Sequence, residues 1–379
     1  MTTDALLQRR PLLSTDGAFR GYRFKSSLNG SVQPFRQLAA AQAAGLRAHG
    51  LCIVADAETV LDELLPEVAA GAVISLDTSH ASAVAECRTR GLIVCVRLDE
   101  NTPAVPAEFT AAAYVWLEGS RDAGLRPLAK LAQRLPGRRI AGSIGDRGQF
   151  ADAKEHGAIL FEGDWYERVQ SSARAVTPAQ ATVLELIQLV GEEAPIGRIE
   201  PLLKRDATLS FRLLRYINSA GFGLSCEIQS FKHAVSILGY QNLARWLSLV
   251  LATAGSTPAA QVLLREAATR GRLMELLGEA CGSTNDRDNL FIVGVFSMLP
   301  AILQVPMTDL VEQIHLPDAI TDALVDRSGL YGPILRLAEQ LERDALPTQH
   351  HFAADLQLSG AQVNRFHLQA MAWAEQITA

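Results

Sequence analysis

Two domains of different class, an α/β unit followed by an all-α unit, are predicted by three observations on this 379-residue chain. Short apolar runs alternate with helix-like stretches through the first half. Helical periodicity alone governs the second half, and a polar stretch, Tyr166–Pro178 (YERVQSSARAVTP), lies between them. Strand–helix alternation at this spacing favours a parallel sheet, barrel-like or open. A chain of this length is comfortable for two cores, and its 48% hydrophobic residues rule out a disordered chain.

In chain order, strands are expected at Phe19–Phe24, Leu51–Ala55, Ala72–Leu76, Leu92–Leu98, Ala113–Leu117, Arg139–Ser143 and Ala158–Phe161. Helices suit the stretches between them: Pro34–Ala48, Glu58–Val68, Ala81–Arg90, Leu125–Leu135 and Gly148–His156. The linker ends in Thr177-Pro178, a capping residue followed by a proline in the first helical turn. Domain limits of 1–172 and 173–379 follow. The second domain opens with helices at Pro178–Val190 and Pro195–Lys204.

The most regular stretch is Asp206–Leu251. Leu209, Leu213, Leu214 and Ile217 recur at helical spacing and make an apolar stripe that needs burial. Asn218-Ser219-Ala220-Gly221 stops that helix. Ser230 caps a short helix that ends at Gly239, and Asn242 begins another whose Leu243, Trp246, Leu247, Val250 and Leu251 form a wide apolar face. A break at Gly255–Pro258 precedes a long helix, Ala259–Cys281, then a helix through Leu290–Pro300 capped near Asn285–Asn289. Amphipathic helices follow within Met307–Glu342 and Gln349–Ile377.

Composition excludes several classes of function. No run of about 18 apolar residues is present to span a bilayer, and the N-terminus lacks the basic start and apolar run of an export signal. Five scattered cysteines, with no Cys-x-x-Cys pair, read as reduced thiols of a cytoplasmic protein. The net charge is −6, with 19 basic and 20 acidic side chains in residues 1–172. Neither half therefore presents the clustered Lys and Arg that direct nucleic-acid binding requires. A helix-turn-helix reading of Ala234–Trp246 fails because the second helix is mostly apolar and offers only Gln241 and Arg245 as polar readers. His233 lacks neighbours at ligand spacing, and no nucleophile elbow or P-loop is present.

Asp206–Leu209, Leu213–Gly223, Ile228–Ser230, Ala234–Gly239 and Arg245–Leu247 resemble the wording of the HDOD domain, a non-catalytic relative of the HD phosphohydrolases. Asn218, Ser219 and Gly239 carry its signature. Where catalytic HD relatives have a metal-binding His-Asp pair, the similar stretch Leu290–Pro300 has Ser297 and Met298.

The first half resembles, in order more than in letters, the EAL barrel whose active members hydrolyse cyclic di-GMP. Gly21–Phe24, Gly91–Leu98, Val115–Glu118, Arg139–Gly145 and Ala158–Gly163 carry the likeness. Active members hold divalent cations with a ring of carboxylates. Under this resemblance the ring positions become Arg23, Ser75, Arg97, Leu98, Trp116, Gly142 and Gly145, and Glu118 alone keeps a carboxylate. Close guanidinium groups repel cations. The expectation is therefore a degenerate EAL-like (β/α) barrel followed by an all-helical HDOD domain, with no metal, cofactor or catalytic residue.

Arg23, Arg97 and Glu118 are the candidate site residues, either as ion pairs at strand ends, the preferred reading, or as an anion site. The resemblance implies a non-enzymatic signalling protein tied to cyclic di-GMP. Its expected partners are an unidentified signalling protein and a cyclic dinucleotide, with no nucleic acid and no membrane. Two alternatives stand beside it. One is a residual metal-dependent cyclic di-GMP phosphodiesterase in which Asp99, Glu100, Glu118 and Glu162 assemble a site. The other is an adaptor docking a partner through the helical domain.

Overall fold

The computed structural model describes residues 5–28, 31–46, 51–54, 68, 70–119, 125–168, 178–205, 231–253, 259–283, 286–314, 316–343 and 352–378. These fall into two compact units, one of Met1–Arg168 with Arg336–Ala379, the other of Val169–Leu335.

The first unit is built on a closed eight-stranded barrel in sequential order. Its strands are β1 (Leu7–Ser14), β2 (Phe19–Ser26), β3 (Leu51–Val54), β4 (Val73–Asp77), β5 (Ile93–Asp99), β6 (Tyr114–Glu118), β7 (Arg138–Ile144) and β8 (Ala158–Gly163). All neighbours from β2 to β8 pair in parallel, while β1 runs antiparallel to both β2 and β8. Seven strands lie where the apolar runs predict them. β1 does not, because its sequence LQRRPLLS places two arginines and a proline where an apolar run is required, yet Gln8 and Arg9 are both buried. Helices α1 (Gln33–Ala43), α2 (Ala83–Thr89), α3 (Arg126–Leu131) and α4 (Arg147–Glu155) lie between strands. The expected helix Glu58–Val68 falls almost wholly outside the described residues.

Period-two alternation sorts the strand residues. Tyr22, Phe24, Ile74, Leu76, Val94, Val96, Leu98, Val115, Leu117 and Phe161 belong to a large core shared with Phe35, Leu38, Val84, Leu128 and Ala153 of the helices. Their alternates Leu12, Val73, Cys95, Trp116, Ile140 and Leu160 form a separate apolar cluster, the barrel's plug. Burial pushes the Cys95 thiol up to about 12, so it is inert.

The second unit is helical. It comprises α5 (Pro178–Gly191), α6 (Ile196–Arg205), α7 (Phe231–Thr253), α8 (Ala260–Ala280), α9 (Arg287–Phe296), α10 (Leu299–Leu303), α11 (Met307–Ile314), α12 (Asp318–Val325) and the start of α13 (Gly332–Glu342). The expected break at Gly239 is present: its φ of 72° and ψ of 165° interrupt α7 and leave two helical pieces. Leu243, Trp246, Leu247 and Leu251 are buried as their spacing requires. α8 and α9 meet at Gly271 and Gly294, where a Cβ on Gly294 would stand 2.6 Å from the Gly271 Cα. Asn218 and Ser219 lie outside the described residues.

The two compact units do not meet at a single point of the chain. After β8 the chain forms the helical unit, and Arg336–Ala379 then belongs with the barrel. This returning segment contains the end of α13, a short α14 (Phe352–Asp355) and α15 (Gly360–Thr378). α15 packs on α1 and contributes Leu368 and Met371 to the barrel's outer core. Helical periodicity alone predicts that these stretches are helices, but it carries no information on which core they join.

Candidate functional site

In a barrel of this kind the carboxyl ends of the parallel strands form the working face, since loops of variable sequence converge there. Two residues beyond each member of the plug, the alternation directs the next side chains inward at that end. These are Ser75 on β4, Arg97 on β5, Glu118 on β6, Gly142 on β7 and Glu162 on β8. Antiparallel β1 supplies Arg10, two residues before Leu12, and β2 supplies Arg23. The layer above the apolar plug is therefore charged.

Glu162 is its centre. The side chain is fully buried, with one oxygen accepting from Nε of Arg10 at 2.6 Å and the other from Nη1 of Arg23 at 3.0 Å. Burial alone would raise its pKa. The charges of Arg10 and Arg23, with the Arg10 hydrogen bond, instead hold it down at about 2. Arg10 is the counterpart: burial opposes its charge, Glu162 outweighs burial, and its pKa is raised. Arg23 also lies over the Trp116 ring, 5.1 Å from the centroid.

Glu118 forms a second cluster. Nε1 of Trp116 donates to one carboxylate oxygen at 2.6 Å, and the Ser143 hydroxyl donates to the other. Ser143 adopts a left-handed backbone, φ 56°, and its N–H points to Glu162 at 3.4 Å. Gly142 is required here because a Cβ would stand 2.5 Å from Trp116 Nε1 and 2.8 Å from a Glu118 oxygen.

Of the three residues expected from sequence, Arg23 finds an ion-pair partner, but that partner is Glu162 and not Glu118. Glu118 instead binds an indole and a hydroxyl. Arg97 stands in register between Asp77 and Trp116. The alternative carboxylate set is not assembled either. Glu162 is held by two guanidinium groups, and Asp99 accepts from the Asn101 N–H and the Thr102 hydroxyl, each at 3.0 Å. Among the described residues, no group of three His, Cys, Asp or Glu is placed to hold a metal ion. Arg10 was missed because its strand was missed. The QRRPLL stretch carries little signal of its own, because Gln8, Arg9 and Arg10 are three consecutive polar residues and show no period-two pattern.

In the helical unit, Ser297 accepts from Nη1 of Arg270 at 2.7 Å and donates to the Gly294 carbonyl at 2.6 Å, and Met298 is buried. Arg245 does not read a surface. It makes a two-point bond with buried Glu275, at 2.6 and 3.2 Å, and stacks on Phe291 at 4.2 Å. That is the core use expected of this helix.

Comparison with known proteins agrees with the helical half. Residues 177–314 match the HDOD domain family. The chain is 28% identical over 250 residues, 65% of its length, to the cyclic di-GMP phosphodiesterase CdgJ of Vibrio cholerae. It is 23% identical over 244 residues, 63% of its length, to the uncharacterized protein YuxH of Bacillus subtilis. The chain spans 58% and 59% of these relatives' own lengths. Solved structures similar to it include the EAL domain of Mycobacterium smegmatis DcpA, at TM-score 0.34 and 9% identity over 42% of this chain and 90% of that one. Another is a standalone EAL protein of Vibrio cholerae O395 bound to cyclic di-GMP, at 0.32 and 12% over 43% and 91%.

Barrel and matched domain together make a two-domain architecture. Residues 177–314 carry the HDOD match, and the first unit is a closed eight-stranded barrel. The expectation that it is not an enzyme is corrected by the first of the relatives, which is named a phosphodiesterase. Residue types at the expected ring positions do not decide catalysis, because a strand order shared with the EAL barrel does not determine which side chains meet at the mouth. Among the described residues, no helix is long and apolar enough to cross a membrane.

Proposed function

We propose that this protein works in cyclic di-GMP signalling as a phosphodiesterase of the EAL–HDOD type, with the dinucleotide taken at the mouth of the barrel. The observation that carries the proposal is the 28% identity, over 250 residues, to a protein named for that activity. The mouth supports it in position, being the only end at which the described strands gather Arg10, Arg23, Arg97, Glu118 and Glu162. It does not fit the divalent cations that the EAL resemblance implies, because each oxygen of Glu162 is held by a guanidinium. A second reading, binding of the dinucleotide as a signal, is favoured by those same guanidinium groups, whose planar donors suit phosphate oxygens.

One experiment separates the two. The purified full chain is incubated with cyclic di-GMP and Mn²⁺, linear product is followed by chromatography, and binding heat is measured in parallel with and without Mg²⁺. Product that disappears in Glu118→Ala supports turnover at the mouth. Heat without product supports the second reading, and absence of both overturns the proposal.

A further inference from the structure

The first strand is covered unequally. From Leu7 to Leu13 β1 pairs with β2, but β8 reaches only Leu12, Leu13 and Ser14. Because the two strands are antiparallel and Leu12 stands opposite Glu162, the residues before Leu12 project past the carboxyl end of β8. They lie at the mouth, and among the described residues no strand pairs with them on the β8 side.

The returning C-terminal segment takes that place. Asn364 accepts from the Leu7 N–H at 2.7 Å and donates to the Ala5 carbonyl at 2.9 Å, so its amide replaces a strand's donor and acceptor. His367 accepts from Nε of Arg9 at 2.7 Å and lies 3.1 Å from the Leu7 carbonyl through Nδ1, which makes it a neutral imidazole protonated on Nδ1. Gln8 donates to the carbonyls of Gln340 and Arg343, at 3.2 and 2.9 Å, and the Glu342 carboxylate pairs with Arg9 at 3.3 Å. The last contact crosses into the site. Arg10 donates through Nη1 to the Glu342 carbonyl at 3.0 Å while its Nε holds Glu162. A guanidinium fork with both ends engaged has little rotational freedom.

We infer that the C-terminal segment forms the β1–β8 wall of the barrel mouth, and that the main-chain carbonyl of Glu342 at the end of α13, acting through Arg10, positions Glu162. The functional meaning of this wall rests on the mouth being the working site proposed above; its geometry does not. The two residues are separated by the entire helical unit in sequence, so the first 172 residues by themselves lack part of the site.

The test is the ionisation of Glu162 in the folded full chain, followed by NMR of protein carrying carboxyl-¹³C glutamate, with Glu162→Gln assigning the resonance. It uses neither ligand nor turnover, so it decides this inference even where the activity assay fails. In the native protein Glu162 remains ionised down to at least about pH 3. Arg10→Gln raises its midpoint by about one pH unit or more, a tenfold change in the ionisation constant, and Arg10→Lys restores part of it. Gln8→Ala removes the two bonds that seat the end of α13, and with it the Glu342 carbonyl that Arg10 uses, without uncovering a buried charge, and it moves the midpoint in the same direction by a smaller amount. Should that variant fail to fold, Gln8→Leu removes the same bonds at nearly constant volume, and the same upward movement is expected. A Glu162 midpoint unchanged in the folded Gln8 variant, alongside a response to Arg10→Gln, overturns the inference. So does no response to Arg10→Gln.

Discussion

Each unit buries one glutamate completely and clamps it between two arginines, and the two clamps are built differently. Glu275 of the helical unit is held by Arg272, one turn earlier on the same helix, and by Arg245, both of which keep about a quarter or a fifth of their side chains in solvent at 26% and 19%. Glu162 of the barrel is held by Arg10 and Arg23 from two other strands, more than 130 residues earlier in the chain, with side chains 14% and 7% exposed. The first clamp is largely local and water reaches its cations. The second exists only because the barrel closes, and no water shell stands ready to replace a lost partner. Similar chemistry therefore has different consequences in the two places.

The largest expected effect follows from that difference. Removing one member of a buried ion pair strands the other, at a cost of about 3–5 kcal/mol. Glu162→Gln should lose stability in that range by urea denaturation, and Glu275→Gln clearly less. Equal losses would break the comparison. Gly142→Ala tests the neighbouring cluster: the added methyl meets Trp116 and Glu118, and about 1–3 kcal/mol should be lost with a shift in tryptophan emission.

Two pH effects sharpen the contrast. Glu162 has its pKa lowered by folding, so its contribution is complete above the ordinary carboxylate range and is lost as pH falls from about 4.5 to about 2. In Glu162→Gln the acid limb of the stability profile should flatten. His367 is buried beside Arg9, both of which hold its pKa well below the usual 6.5. The unfolded chain takes up a proton there that the folded one refuses, so stability should fall as pH drops below about 6.5, and His367→Gln should remove that slope. The smallest effect is expected from Arg90→Ala, which breaks an exposed pair with Glu86 one helical turn away and should cost under about 0.5 kcal/mol. A larger loss would mean that surface pairs matter here as buried ones do.

Much of the architecture was legible from local pattern. Seven strands, the helical second half, the break at Gly239 and the apolar face of Leu243 to Leu251 are each written in residues a few positions apart, because strand and helix periods are short. Arg23 was legible as a site residue for the same reason, as the last inward position of a recognisable strand. Its partner was not. Glu162 closes a strand whose letters suit an ordinary LFEG end, and Arg10 sits in a stretch that reads as a charged N-terminus.

By itself the sequence determined two units, their classes and the side chains presented at each strand end. Only the tertiary structure decided which of those side chains meet, that Leu7–Ser14 is a strand, and that the last helix returns to the barrel. The reason is physical: alternation decides which face a side chain takes within a few residues, whereas an ion pair between β8 and β1 or a helix filling the gap between them exists only after the ring has closed, and closure is a property of all eight strands together.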